Sequence, residues 1–303
     1  MSNASVGREA QALAAVRSTL AEETGASEAD IARVARSKAR RRRQLVLLAR
    51  VLTLVVVIGG WQLFTALKIV DPFFFGRPSG IALKVRDWVE HGTAYGSLWL
   101  QLGVTMKEAL LGFGYGVSAG IFVGIVLGQN RFLADVVGPY IKVLNAIPRI
   151  VLGVLFIVWL GLGTASKVML AAVLVFFVVF FNAFQGVREV DRNFVANARV
   201  LGASRIQIVR HVVVPSALTW IIASLHVAFG FSIIGAIVGE FLGAQRGLGL
   251  VIATAMNNFD PNGVWAAMLI IAVIALAAEA LITQLERRLL SWRPKSAAES
   301  AGS

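Results

Sequence analysis

The sequence predicts an all-α, polytopic membrane protein with about six transmembrane helices and both termini cytoplasmic. Composition, a series of charge-free stretches and the placement of basic residues carry this prediction. Hydrophobic residues make up 57% of the 303 and charged residues only 15%, with a mean hydropathy of +0.74. One soluble core of this size cannot enclose so much apolar surface, so a bilayer has to surround it. Apolar stretches at 51–67, 109–127, 150–164, 168–184, 218–237 and 264–278 each approach or extend to the roughly 20 residues that cross hydrocarbon. Residues 132–148 are apolar but carry Lys142, Asn145, Pro139 and Pro148. They read as the first part of the third span.

Orientation follows from the basic residues, because short cytoplasmic loops retain an excess of Lys and Arg. Of the 29, ten lie at or before Arg50, five between Arg188 and Arg210 and four between Arg287 and Lys295. The other side holds Lys68, Arg77, Lys84, Arg86, Lys167 and Arg246. The formal charge of +12 is thus a topology signal, and the basic run at 38–43 reads as a membrane-flanking anchor, with no nucleic-acid partner. The organisation is a polar, basic extension at 1–43, a transmembrane domain at 44–290 with a cytoplasmic loop at 188–215, and a cytoplasmic tail at 291–303. Within the extension, Ser27 and Asp30 can cap a short helix that ends in the arginine run. The first apolar stretch begins too late for a cleavable signal.

No constellation carries enzyme chemistry. Cysteine is absent, which excludes disulfides and thiolate ligands. His91, His211 and His226 are far apart and form no metal pair. The segment 161–167 lacks the Gly-Lys-Ser/Thr ending of a phosphate loop and reads as a turn.

The informative segment is 188–215, between the fourth and fifth spans. Asp191 or Asn193 can cap a helix and Gly202, with Ala203 and Ser204, can end it. A second amphipathic stretch then precedes Pro215, which opens the next element. Ala198 and Gly202 are four residues apart and share a helical face, where small side chains admit a partner surface. A purely structural loop would form the same helices.

These residues resemble the loop of permease subunits of bacterial ATP-binding-cassette importers: Glu-Ala-Ala, three residues, Gly, nine residues, Ile, one residue, Leu-Pro. Here Ala196-Asn197-Ala198, Gly202, Val212 and Val214-Pro215 keep that spacing. Ala198, Gly202 and Pro215 match, and Ala196 stands where the family has Glu. Ala198-Arg199, Leu201 to Ser204 and the residues 211–215 are similar to the branch that imports alkanesulfonates, taurine, nitrate and thiamine precursors. That likeness runs from about 78 to 292. It includes Ile147-Pro148-Arg149, Trp159 to Gly163 (with Val154 replacing a proline), Glu240 to Ala244 and Gly247-Leu248-Gly249.

The resemblance implies the permease architecture of type I importers in a bacterial inner membrane. It implies two permease chains, commonly identical, two ATPase subunits gripping the loop, and a periplasmic binding protein. Substrate would cross by alternating access. The chain would be no enzyme and hold no cofactor, with ATP bound by the partner ATPase. Ala196, Ala198, Arg199, Gly202 and Pro215 are the expected coupling residues.

For the pathway, ionisable residues inside spans are costly and point to Lys142, Arg149 and Glu279, beside Pro148 and Glu240. Lys142 and Arg149 would share a face on a continuous helix and favour an anion, or else pair with Glu279 or snorkel to the interface. Glu240 would cap packing or meet Arg246. A self-powered secondary carrier and a membrane-anchored scaffold are the readings from other classes, and the loop spacing argues against both.

Overall fold

The computed structural model of the chain describes residues 28–289, which contain helices and no strand. Contacts divide it into two units, 1–69 and 70–303. In the first, α1 (Glu28–Ala66) runs unbroken through the arginine cluster, so the short basic helix and the first expected span are one element. Its Ser37–Ala66 portion is long and apolar enough to cross a membrane. Ser27 and the tail 291–303 lie outside the described residues.

The second unit opens with α2 (Pro72–Phe75) and α3 (Pro78–Glu90). Asp71 caps α2 by accepting from the Phe73 N–H at 2.9 Å. The helices α4 (Leu98–Gln129), α5 (Arg131–Ala146), α6 (Arg149–Leu160) and α7 (Thr164–Arg188) follow. Gly112, Gly116, Gly120, Gly124 and Gly128 form a stripe on α4 every four residues, and α7 lies directly on it. A Cβ at Gly116 would sit 2.6 Å from that of Val175, at Gly120 2.9 Å from that of Val179, and at Gly124 2.7 Å from that of Ala183. Such close backbone approach through small residues replaces the hydrophobic drive that is absent between helices in lipid.

The register of this stripe settles a question of topology. Positions 112, 116, 120 and 124 meet 171, 175, 179 and 183 in ascending order, so α4 and α7 run parallel. The chain must therefore recross the layer between Gln129 and Thr164. Only α5 and α6 are available, bent by 91° at their junction, and together they form the third span. Proline causes the bend: the residue before Pro148 is driven to extended geometry, and Ile147 has φ −66° and ψ 130°. Pro148 then starts α6. Gly161, with φ +78°, ends α6, and the turn expected over 161–167 is confined to 161–163, because α7 already begins at Thr164.

After α7 come the loop helices α8 (Arg192–Val200) and α9 (Arg205–Ile208), a π-turn at Val209–Val213, and α10 (Val214–Gly243). α10 packs antiparallel to α7: Gly186 faces Ala217, Gly235 faces Ala171 and Gly239 faces Lys167. The short α11 (Leu248–Asn257) and the long α12 (Pro261–Leu289) complete the unit. The spans Leu98–Gln129, Thr164–Arg188, Ile206–Gly243 and Pro261–Gln284 and the bent pair thus give five crossings, and α1 supplies the sixth.

Candidate functional site

The loop at 189–213 is folded in detail by its own sequence. Asp191 caps α8 by accepting from the Asn193 N–H at 2.8 Å. The helix closes with Gly202 at φ +82°, and the Ala203 N–H reaches back to the Ala198 carbonyl at 3.0 Å. That 6→1 bond is a Schellman ending, which needs a residue free to adopt positive φ. Ser204 and Gln207 then form a reciprocal capping box: the Ser204 N–H donates to Gln207 Oε1 at 2.8 Å and the Gln207 N–H to Ser204 Oγ at 3.3 Å.

Pro215 stands at the second residue of α10, where the sequence puts the start of an element, but α10 is not a separate rod from the stretch before it. Ile206–Gly243 is one helix with a π-turn inside it. Pro215 has no N–H for the preceding turn, and its ring crowds the carbonyl four residues back. The chain widens there, and the Val214 N–H bonds the Val209 carbonyl five residues back.

The faces of the loop also differ from expectation. Ala198 and Ala203 pack inward on a core of Ala183, Val187, Ile208, Val213, Ala217 and Ile221. Gly202 lies beyond the helix end, where an added Cβ would meet nothing within 4 Å. The two do not form one small outward face. What faces outward is apolar and large: Val200 and Leu201 are each 86% exposed and Ile206 79%, with Phe194 and Ala196 also exposed. Arg199 is exposed beside them.

The pathway candidates are scattered. Lys142 is exposed on α5 and Arg149 half-buried at the start of α6, and the 91° break between them removes the shared face of a continuous helix. Pro148 occupies the break itself. Arg149 donates from Nη2 to Asn145 Oδ1 at 2.8 Å, while its buried Nε–H has no partner. Glu279 pairs with neither cation; its Oε1 lies 2.6 Å from His226 Nδ1, tying α12 to α10.

Glu240 is the centre of a buried polar network that sequence reading did not foresee. It accepts from Thr105 Oγ1 at 2.7 Å and from the Gly249 N–H at 2.7 Å. Thr105 Oγ1 in turn accepts from the Leu248 N–H at 2.9 Å. Gln101 Oε1 takes the Gly247 N–H at 2.7 Å, and its Nε2 donates to the Tyr95 carbonyl at 2.8 Å. Glu108 lies beside Glu240, and Lys167, also buried, donates to the Leu162 carbonyl at 2.5 Å. Among the described residues Glu240 has no ion pair with Arg246. The available signal was a set of polar residues in an apolar helix. The charge-free stretch begins at Ala109, one residue after Glu108, whereas the helix starts at Leu98 and includes Gln101, Thr105 and Glu108.

With this geometry in hand, known proteins offer a comparison. The family model described as binding-protein-dependent transport system inner membrane component matches residues 116–291. A Bacillus subtilis (strain 168) protein named for aliphatic sulfonates transport, SsuC, is 31% identical over 238 residues, covering 78% of this chain and 85% of its own. The taurine transport system permease protein TauC of Escherichia coli (strain K12) is 29% identical over 241 residues, covering 79% and 88%. Permease proteins named for formylaminopyrimidine and riboflavin transport are 29% and 30% identical. Among solved structures, the MetNI methionine transporter in an inward-facing conformation superposes with a TM-score of 0.57 at 19% identity, covering 63% of this chain and 96% of its own, a likeness of fold.

Proposed function

Since the chain belongs to the family of binding-protein-dependent transport system inner membrane components, we propose that it forms half of a pathway for a small sulfonate-type anion, driven by a separate ATPase. The chain is a multi-pass inner-membrane permease of the ATP-binding-cassette importer class.

The observation that carries the proposal is the surface of 189–213. A short helix capped at both ends holds Val200 and Leu201 in full exposure, anchored to the spans through Ala198 and Ala203. Apolar side chains on a rigid loop at a polar end of the molecule are a docking surface. The occupant is the ATPase, which grips Phe194, Val200, Leu201 and the neighbouring Arg199. Its closure moves α8, and with it the ends of α7 and α10, so that the spans alternate between inward-facing and outward-facing states. A second copy of the chain completes the pathway and a periplasmic binding protein delivers the solute. ATP stays on the partner, and this chain holds no cofactor.

The sulfonate class is supported by the names of SsuC and TauC and by Arg149. Its unpartnered Nε–H sits at the first residue of α6, beside a break in the third span. Broken spans place helix starts and unpaired donors where an anionic group can take them. The test is uptake into liposomes holding the chain, its ATPase and its binding protein. Taurine or an alkanesulfonate should enter only with ATP inside. Entry without ATPase would overturn the driven mechanism; uptake of pyrimidine or riboflavin solutes with sulfonates excluded would overturn the substrate class.

A further inference from the structure

Beyond transport, the end of the molecule that carries the 189–213 loop holds a pair of adjoining cavities unlike one another in character. One, of about 600 Å³, runs along the flank of α4 and the start of the fifth span. Ser118, Ile121, Phe122 and Ile125 line it on one side, and Ile206 closes the other. The second, of about 1160 Å³, opens at the ends of α4 and α7 and is edged by Arg131, Arg188 and Arg199, with Asp135 the one acid in its lining. Val126, Gln129 and Val209 line both, so the two spaces adjoin along these residues. Both volumes lie in or just above the roughly 300–1,000 Å³ of ordinary ligand sites.

We propose that this composite site binds an anionic phospholipid, the acyl chain in the apolar groove and the phosphodiester against Arg131 and Arg188. Ser118 and Gln129 are eleven residues apart on one helix, so the groove descends about 16 Å from the basic cavity into the apolar span. That matches the order of headgroup and chain at a membrane edge. The charge is complementary: among the described residues none of the three arginines has an ion-pair partner, and Arg188 lies over the Phe184 ring at 4.7 Å. Basic pockets between spans on the cytoplasmic side, where anionic lipid is found, suit such headgroups. The lipid would contact Arg199, Val195 and Val209, and so touch the loop that the ATPase engages.

The experiment is native mass spectrometry of the full chain in detergent with equimolar phosphatidylglycerol and phosphatidylcholine of the same acyl chains. Phosphatidylglycerol should be retained about thirtyfold over phosphatidylcholine, as two cations near a surface predict. R131Q/R188Q should bring that ratio near one and R131K/R188K should keep most of it. S118W, filling the groove from an exposed position, should reduce retention of both lipids. Equal retention by the unaltered chain, or an undiminished ratio in R131Q/R188Q, overturns the proposal. So does full competition by glycerophosphate, which would make the cavity a phosphate site. An unchanged ratio with weakened ATPase capture would make it a protein seat instead.

Discussion

Thr105 and Glu240, 135 residues apart in the chain, meet in the interior at 2.7 Å and join the fourth and tenth helices at the end opposite the loop. The same two side chains hold the N–H groups of Leu248 and Gly249, so the turn into α11 hangs on them. In a low-dielectric interior such a network is worth most when every member is satisfied and becomes costly when one is removed. Glu240→Ala leaves the Gly249 N–H without its acceptor, at about 1–3 kcal/mol, and leaves the Thr105 hydroxyl only the longer bond to the Gln101 carbonyl at 3.2 Å. The variant should melt several degrees below the unaltered protein in detergent. Gly247→Ala should do the same by another route: its φ is +116° and its new Cβ would run into the Glu240 carboxylate. Unchanged melting of both variants would remove the network from the account of stability.

The glycine stripe supplies an internally controlled test. At Gly116 and Gly124 a Cβ would lie 2.5 Å from the Ala172 carbonyl oxygen and 2.7 Å from the Ala183 Cβ, whereas at Gly103 and Gly114 it would meet nothing within 4 Å. Alanine at 116 or 124 must push α4 and α7 apart, an overpacking cost of about 1–3 kcal/mol. Alanine at 103 or 114 should be neutral or slightly stabilising, since it only improves helix propensity. Thermal melts of the four variants should separate into these two pairs.

How much of this was legible beforehand differs from element to element. The spans were, because uncharged runs of this length have one reading. The glycine repeat was present in the letters but shows its meaning only once α7 is known to lie on it. Reading 132–148 as the first part of the third span already joins α5 to α6, and the parallel register of α4 and α7 requires that crossing, but the 91° bend at Pro148 shows only in the fold. Asp191, Gly202 and Ser204 were readable as caps because capping is local chemistry. The direction of Ala198 was not, since which face of a nine-residue helix turns inward depends on Val187 and Val213, distant in sequence. Thr105 and Glu240 were illegible for the same reason, and Glu279 found His226 in place of either expected cation.

Gly202 separates folding from docking. Its positive φ makes any side chain other than Asn cost about 1 kcal/mol, but no atom of the chain lies where a Cβ would go. Gly202→Asn should therefore insert and melt normally, and Gly202→Val should insert with a modest loss. Leu201→Asp changes no internal contact, because that side chain is 86% exposed, yet it places a charge in the apolar surface offered to the ATPase. Co-purification with the ATPase should fall at least tenfold for Leu201→Asp while insertion stays normal, an effect of the size seen when a central apolar contact is lost. Full ATPase capture and uptake by this variant would sink the docking role of the loop.

Substitutions at Lys142 and Arg149 test the proposed anion pathway. The break at Ile147-Pro148 removes the shared face of a continuous helix, and of the two residues Arg149 combines partial burial with an unpartnered N–H. If that donor meets the sulfonate, Arg149→Ala should lower sulfonate uptake by about ten- to a hundredfold, the loss expected for a charged hydrogen bond of about 1.5–3 kcal/mol. Lys142→Ala, removing an exposed amine, should change uptake less than twofold. Arg149→Lys restores the charge but not the planar guanidinium geometry and should recover only part of the rate. The readout is initial uptake of labelled taurine by cells carrying the matching ATPase and binding protein, with membrane levels of each variant measured alongside. Equal uptake by Arg149→Ala and the unaltered chain would take the anion off this residue.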